Sequence, residues 1–424
     1  DDSTDDTRGI AEAAAERLRA RGLDVRHLPR NCRSGFKAGA LAAGMAAARA
    51  EFFLVLDADF VPDPTILRDS LDHFSDPKVG MVQTRWGHLN DGYSLLTRLQ
   101  SIFLDGHFVI EHTARHRSGR FFNFNGTAGI WRRQAIEDAG GWRADTLTED
   151  LDLSYRAQLA GWKFVYLKDL VSPAELPVDI NGFKSQQHRW TKGSIETGRR
   201  LLPAVFGSRE PAKVKIEAFF HLTNNLSYPL VVLLSLLVFP AMEIRHRIGW
   251  TRLIWLDFPL FFVSTISVLV FYLASQKEID PAWPRKIRYL PMLLSLGIGL
   301  GVNNTQAVAE ALLGRRSEFL RTPKYSLAAG SRRWSDKLYR SRVPLLSAVE
   351  LLLAAYFAGA ILLSIHERLY LALPFLLIFF NGYALVSAFT ILQRLPERAG
   401  GAPARLRPAA AHPVQSSPNA RRQR

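Results

Sequence analysis

The chain has 424 residues, 48% of them hydrophobic, with a formal net charge of +15 and one cysteine. That length holds one soluble domain beside a membrane region, and the lone Cys32, expected as a buried or half-exposed thiol, excludes an internal disulfide and a cysteine metal cluster. The surplus charge sits in two stretches, 314–342 at net +7 and 394–424 at net +6, both beside apolar runs; this is the pattern of basic residues on a cytoplasmic membrane face, and no nucleic-acid partner is expected.

In chain order, Asp1-Asp2-Ser3-Thr4-Asp5 is an acidic, turn-rich cluster with no strand and no signal peptide before it, so the chain is expected to be a fragment lacking its amino-terminal part. Ile10–Arg21 shows helical spacing, Leu23–Leu28 reads as a short strand and Gly39–Ala50 as an Ala-rich helix. Within Gly35–Leu41, Lys37 stands between two glycines as that helix begins, where a helix amino end favours an anion. Glu51–Leu56 is a continuous apolar run of the kind expected of a buried parallel strand, and it leads straight into Asp57-Ala58-Asp59. Ligands bind beyond the carboxyl ends of such strands. Two carboxylates two residues apart suit a divalent cation shared with phosphate oxygens, though the same spacing also caps a turn.

Thr148-Glu149-Asp150 starts a helix, where Thr148 suits a cap and Asp150 could accept a proton from a hydroxyl. Gln186-Gln187-His188-Arg189-Trp190 puts an amide, a guanidinium and an indole within about one turn of helix; Arg189 can pair with a diphosphate and Trp190 can lie under a sugar ring, or both can simply pack. From Phe219 the composition changes. Segments 219–242, 253–275, 343–365 and 369–392 are each long and apolar enough to cross a bilayer. A fifth, 291–313, carries Asn303, Asn304, Gln306 and Glu310 in its second half. Placing it along the inner interface keeps 277–288, 314–342 and the tail on one side, as the positive-inside tendency requires. The tail 394–424, rich in Pro, Ala and Arg, reads as disordered.

Taken together, these motifs resemble the processive family-2 glycosyltransferases: cellulose synthases, hyaluronan synthases and the cellulose-synthase-like mannan and glucan synthases. The family order Asp, Asp-x-Asp, Thr-Glu-Asp, Gln-x-x-Arg-Trp is present as Asp2 (or Asp1), Asp57-Ala58-Asp59, Thr148-Glu149-Asp150 and Gln186–Trp190. Thr84–Asn90, Asn125–Trp131 and Asp145–Asp150 look most like the mannan/glucan branch, and the resemblance runs from residue 1 to about residue 392. It implies an α/β GT-A-like (Rossmann-like) catalytic domain over 1–210, facing the cytoplasm, and a multi-pass helical membrane region over 211–393.

The resemblance also implies roles. Asp1, Asp2, Lys37, Asp57, Gln186 and Arg189 would contact the nucleotide or diphosphate, and Asp57 and Asp59 would hold Mg²⁺ or Mn²⁺. Asp150, with Glu149 beside it, would be the general base. Trp190 would lie under the acceptor sugar, with Asn125-Gly126-Thr127 nearby where cellulose synthases carry Cys-Gly-Thr. Phe319–Lys324 is similar to the loop that folds over bound nucleotide in cellulose synthases, which would bring Thr322 and Lys324 to the donor; Arg321 stands where those enzymes carry Val. The implied reaction is inverting hexose transfer from UDP-glucose or GDP-mannose to a growing β-linked polysaccharide, coupled to translocation among membrane lipids, with export partner subunits to receive it. Single-sugar transfer to a lipid, as in ceramide glucosyltransferases, and an inactive membrane scaffold remain open. Without the family's first strand, the fragment is expected to be inactive or severely impaired.

Overall fold

The computed structural model describes residues 6–249, 254–315, 317 and 346–393. Asp1, Asp2, Thr322, Lys324 and the tail 394–424 therefore lie outside the described residues, as does all but three residues of the 314–342 loop.

Helix α1 (Thr7–Arg19) follows the Ala and Leu spacing. The strand expected at Leu23–Leu28 does not form. Its backbone has no ladder partner among the described strands, and Leu23 and Leu28 are exposed. An apolar–polar alternation makes a strand only where a neighbouring edge can satisfy its N–H and C=O groups. Cys32, on the following loop, is exposed, in contrast to the expected buried or half-exposed thiol. Helix α2 (Phe36–Ala47) starts three residues earlier than the Ala-rich run suggests, which places Lys37 in its first turn.

Strands β1 (Phe52–Val55), β2 (Val79–His88), β3 (Gly129–Arg132) and β4 (Lys163–Ala174) form one mixed sheet in the order β1-β3-β2-β4. β1 pairs antiparallel with β3, which corrects the expectation of a parallel strand; the parallel pair is β2 with β4. A strand apolar on both faces reports burial on both faces and carries no information about direction. Here Phe53 packs with Leu41 and Met45 on one side, while Phe52 and Leu54 meet Phe74 on the other. Short helices α3 (Ile66–Leu71), α4 (Leu95–Asp105), α5 (Thr113–Arg117) and α6 (Arg133–Asp138) surround the sheet, with a π-helical stretch, Gly106–His112, between α4 and α5. Met81, Phe108, Phe122, Phe124, Trp131 and Phe164 make the main core. Each such side chain contributes about 1.5–3 kcal/mol by leaving water.

Helices α7 (Glu149–Leu159) and α8 (Ile180–Gly207) frame the candidate site. The 28-residue α8 starts from Asp179, whose carboxylate accepts from Gly182 N–H at 2.7 Å, and its first turn packs Ile180 and Phe183 with Leu96, Leu99 and Ile102 of α4.

Among the described residues, four helical segments are long and apolar enough to cross a membrane: Ala212–Arg247, Pro259–Ile279, Leu346–His366 and Tyr370–Leu392. They comprise α9 (Ala212–Thr223) with α10 (Ser227–Arg247), most of α11 (Ile254–Ile279), then, further along the chain, α14 (Leu346–His366) and α15 (Leu373–Leu392). Leu230, Val263, Leu352 and Leu362, all at least 64% exposed, turn outward from them, an apolar surface suited to lipid. The intervening α12 (Leu290–Gly299) and α13 (Gly301–Leu312) are too short to span singly. Leu293, Leu296 and Leu300 pack with Ile180, Phe183 and Val386, so this pair is wedged between α8 and α15.

Candidate active site

Beyond β1 the chain turns at once. Phe60 N–H donates to the Asp57 carbonyl at 3.1 Å, and the turn holds Asp57 and Asp59 at the rim of a cleft of about 730 Å³. Two neighbours fix Asp57. Its N–H donates to Thr127 Oγ1 at 2.8 Å, and its Oδ1 accepts from Lys37 Nζ at 2.6 Å. Lys37 thus ties the first turn of α2 to the end of β1, two motifs twenty residues apart in sequence.

The opposite wall is the amino end of α7. Asp150 Oδ1 accepts from Leu151 N–H at 2.8 Å, as a first-turn carboxylate does at a helix amino terminus. Its other oxygen faces Gly126: a Cβ at that position would lie 2.9 Å from Asp150 Oδ2. Gly126 also has φ +81°, a conformation that favours glycine, so both the turn and the room beside the carboxylate require this residue. Burial raises the Asp150 pKa, with the Leu151 N–H, Lys37 and Arg189 opposing it. Burial, and then the charge of Asp150, push the neighbouring Glu149 carboxyl up to about 7. Arg189 completes the group; burial lowers its pKa, and the nearby charges of Glu149, Asp150 and Asp57 counteract that.

Helix α8 brings Gln186, Arg189 and Trp190 to this cleft. It can approach because residue 193 is glycine: a Cβ there would stand 2.5 Å from the Thr148 side chain and 2.8 Å from the Thr148 nitrogen. The helix bearing Arg189 and the turn bearing Asp150 therefore rest directly on each other.

A second cavity, of about 370 Å³, shares Trp86, Asn125, Thr148, Asp150 and Trp190 with the first. It extends from Asp150 to Tyr228 of α10 and to Phe271 and Tyr272 of α11. Asn125 is held in its wall by a relay through the π-helix. His112 Nε2 donates to Asn125 Oδ1 at 2.8 Å, Asn125 Nδ2 donates to His107 Nε2 at 3.2 Å, and His107 Nδ1 donates to Glu111 at 2.8 Å. His112 is fully buried, and burial keeps it neutral with its pKa well below the ordinary value. Glu111 is held down at about 2, where burial is outweighed by His107 and Arg115.

Among the described residues, the structure thus gathers Lys37, Asp57, Asp59, Asn125, Gly126, Glu149, Asp150, Gln186, Arg189 and Trp190 around one cleft. Thr127 is different: it is buried behind the wall, and its hydroxyl holds the Asp57 backbone. Sequence reasoning missed Gln83, whose buried amide donates to the carbonyls of Thr84, Thr127 and Ala128 while its carbonyl oxygen accepts from Asn125 N–H. The available signal was a Gln inside the apolar run Gly80–Thr84. It also missed His107 and Glu111, whose spacing of four gave no sign of the π-helix. No group of three or more His, Cys, Asp or Glu among the described residues could hold a metal. Asp57 and Asp59 offer hard oxygen donors that suit Mg²⁺ or Mn²⁺ when phosphate oxygens complete the shell.

Residues 52–302, which carry both Asp57–Asp59 and Gln186–Trp190, match the family described as "Glycosyl transferase family group 2". The chain belongs to that family. The chain is 41% identical over 215 residues to glucomannan 4-beta-mannosyltransferase 2 of Arabidopsis thaliana, a match covering 50% of this chain and 40% of the relative. Over 278 residues it is 35% identical to glucomannan 4-beta-mannosyltransferase 1 of Cyamopsis tetragonoloba, covering 63% and 52%. Over 366 residues it is 31% identical to glucomannan 4-beta-mannosyltransferase 7 of Arabidopsis thaliana, covering 84% and 64%. The chain thus spans from two fifths to just under two thirds of these relatives' length. A solved mannosyltransferase, PcManGT from Pyrobaculum calidifontis in complex with GDP-Man and Mn²⁺, superposes with a TM-score of 0.44 at 17% identity, covering 74% of this chain and 76% of that one.

Proposed function

We propose that this glycosyltransferase moves a hexose, mannose from GDP-mannose before glucose from UDP-glucose, onto the end of a β-linked polysaccharide, with inversion at the anomeric carbon. The observation that carries the reading is that Asp150 lies where the two cavities meet, with the Lys37, Asp57 and Arg189 cluster on one side and Trp190 and Asn125 on the other. A sugar nucleotide in the larger cleft would present its diphosphate to Lys37 and Arg189. An acceptor in the smaller cavity would present a hydroxyl to Asp150 with its ring over Trp190. Asp150, its pKa raised by burial, accepts the hydroxyl proton. The acceptor oxygen then bonds to the anomeric carbon as the bond to the diphosphate breaks on the opposite face, turning an α-linked donor into a β-linked product. Arg189 and Lys37 meet the charge that develops on the leaving diphosphate. Mg²⁺ or Mn²⁺ held by Asp57 and Asp59 would supply further neutralisation of those phosphates. Asp1, Asp2, Thr322 and Lys324 are proposed to add donor contacts. Similarity to glucomannan 4-beta-mannosyltransferases favours mannose and a β-1,4 linkage.

The second cavity favours a polymer over a single lipid acceptor. Its aromatic and amide lining, Trp190, Tyr228, Phe271, Tyr272, Asn224 and Asn225, suits a sugar chain and extends to two helices able to span a membrane. With the basic stretches kept inside, the catalytic domain would face the cytoplasm and the product would leave through the membrane region. Product analysis on membranes containing the full-length protein, with GDP-mannose and UDP-glucose offered separately with Mg²⁺, tests this. A long, linkage-uniform polymer from either donor supports the reading and identifies the sugar. A singly glycosylated lipid refutes polymer synthesis, and absence of turnover refutes transfer.

A further inference from the structure

Helix α8 has a second working face. With 3.6 residues per turn, Lys184, His188 and Lys192 lie within about 80° of one another, on the side away from Gln186 and Trp190, with Arg189 between the two faces. Lys184 is 1% exposed and its Nζ donates to Glu350 Oε1 of α14 at 2.6 Å, where Glu350 is fully buried. Asn303 of α13 donates to the Lys184 carbonyl at 3.0 Å. Two turns further on, Lys192 is fully buried; its Nζ donates to the Arg315 carbonyl at 2.6 Å, to Ser317 Oγ, and to Glu310 Oε2 of α13 at 3.2 Å. His188 lies 3.4 Å from the same carboxylate.

We propose that Lys184 and Lys192 are positioning residues, two ionic anchors that set the register of α8 against α13 and α14 and thereby place Arg189 and Trp190 over the site. The inference rests on the glycosyl-transfer reading for its kinetic consequence and on geometry for the anchoring. Apolar contact between α8 and α13 at this end is small, Ile195 with Val308 and Ala311, and apolar burial is non-directional. A buried ammonium–carboxylate pair cannot slide. Moving either partner leaves a charge without its counter-charge in an apolar surrounding, which is strongly unfavourable, so the pair admits one register. The two anchors are eight residues apart on α8, enough to fix rotation as well as translation. One turn of helix separates Lys184 from the catalytic side of the same helix, so a shift at the anchor is transmitted directly to Arg189 and Trp190.

The test replaces the first anchor by an apolar pair, K184M/E350L, and separately by the milder E350Q, in the full chain in detergent or lipid discs. Hydrogen exchange across Gln186–Trp190 is expected to quicken at least tenfold, with α1 unchanged and the melting temperature of K184M/E350L within about 3 °C of the parent, since apolar replacement of a buried pair is often near neutral. The transfer kcat is expected to fall about tenfold while the donor KM moves less than threefold, because groups that act mainly in the transition state are misplaced. Unchanged exchange in a folded variant, or a kcat equal to the parent's, overturns the anchor. A kcat that falls only with the folded fraction also overturns it, because the pair would then be packing alone. If K184M/E350L does not fold, E350Q is read by the same criteria. A parent protein that transfers no hexose refutes the proposed function instead, and the exchange experiment still decides the anchor.

Discussion

Replacing Glu149 with Gln should make the protein more stable at neutral and alkaline pH and remove a pH dependence that the parent shows. Glu149 is 7% exposed, and its carboxyl is pushed from 4.5 up to about 7 by burial and by the charge of Asp150 beside it. That displacement of about 2.5 pH units is worth about 3 kcal/mol at 1.36 kcal/mol per unit. The sign follows from proton binding. Between pH 4.5 and about 7 the folded protein keeps a proton on Glu149 that the unfolded chain has lost, so stability declines as pH rises through that window and stays low above it. Gln carries no charge at any pH and so lacks this share of the decline, leaving only the part due to Asp150, whose pKa burial also raises. For a domain of this size the deficit corresponds to about 6–12 °C in melting temperature. Melting curves of parent and E149Q in detergent at intervals from pH 4.5 to 8.5 should coincide at the acid end and separate through the window, with E149Q melting higher. Curves that stay parallel across the whole range would show that Glu149 is ionised at no cost, and that its environment is not the buried, like-charged one described.

Asp150→Asn should leave donor binding within about threefold and lower transfer by 10²–10⁴-fold, the usual range for a general base; equal loss of donor affinity and transfer, measured by calorimetry and turnover, would make Asp150 a ligand. Gly193→Ala brings a methyl against Thr148 at 2.5 Å, so it should cost about 1–3 kcal/mol and lower transfer more than tenfold; a fully active Ala variant would mean that α8 need not touch the Asp150 turn. Gly126→Ala should abolish transfer, since the methyl meets Asp150 Oδ2 at 2.9 Å in a backbone of φ +81°; donor binding by the folded variant is the control. Chelation by EDTA should stop transfer reversibly, with Mg²⁺ or Mn²⁺ restoring it, and turnover that persists in EDTA would remove Asp57 and Asp59 from metal binding.

The candidate cleft was legible in the sequence because each of its parts is a short local motif whose chemistry lies in adjacent residues. Asp57 and Asp59 stand two apart, Glu149 and Asp150 start a helix, and Gln186, Arg189 and Trp190 occupy little more than one turn. Apolar length alone marked the four candidate membrane helices, since hydrophobicity over about 20 residues requires no knowledge of neighbours. Strand direction was not legible: Phe52–Val55 is apolar on both faces, and only its pairing with Gly129–Arg132 decided that it runs antiparallel. Nor could Leu23–Leu28 be resolved, because its pattern suits a strand while no partner edge is present among the described strands. The contacts that convert motifs into a site all cross long stretches of chain. Lys37 reaches Asp57, Gly193 admits Thr148, Gln83 holds the turn from Asn125 to Ala128, and Lys184 finds Glu350 across 166 residues. Composition and spacing determine which groups a chain has available and which elements carry them. Which of those groups lose water together, and therefore which charges must pair or shift their proton affinity, is decided only when packing brings the elements into contact.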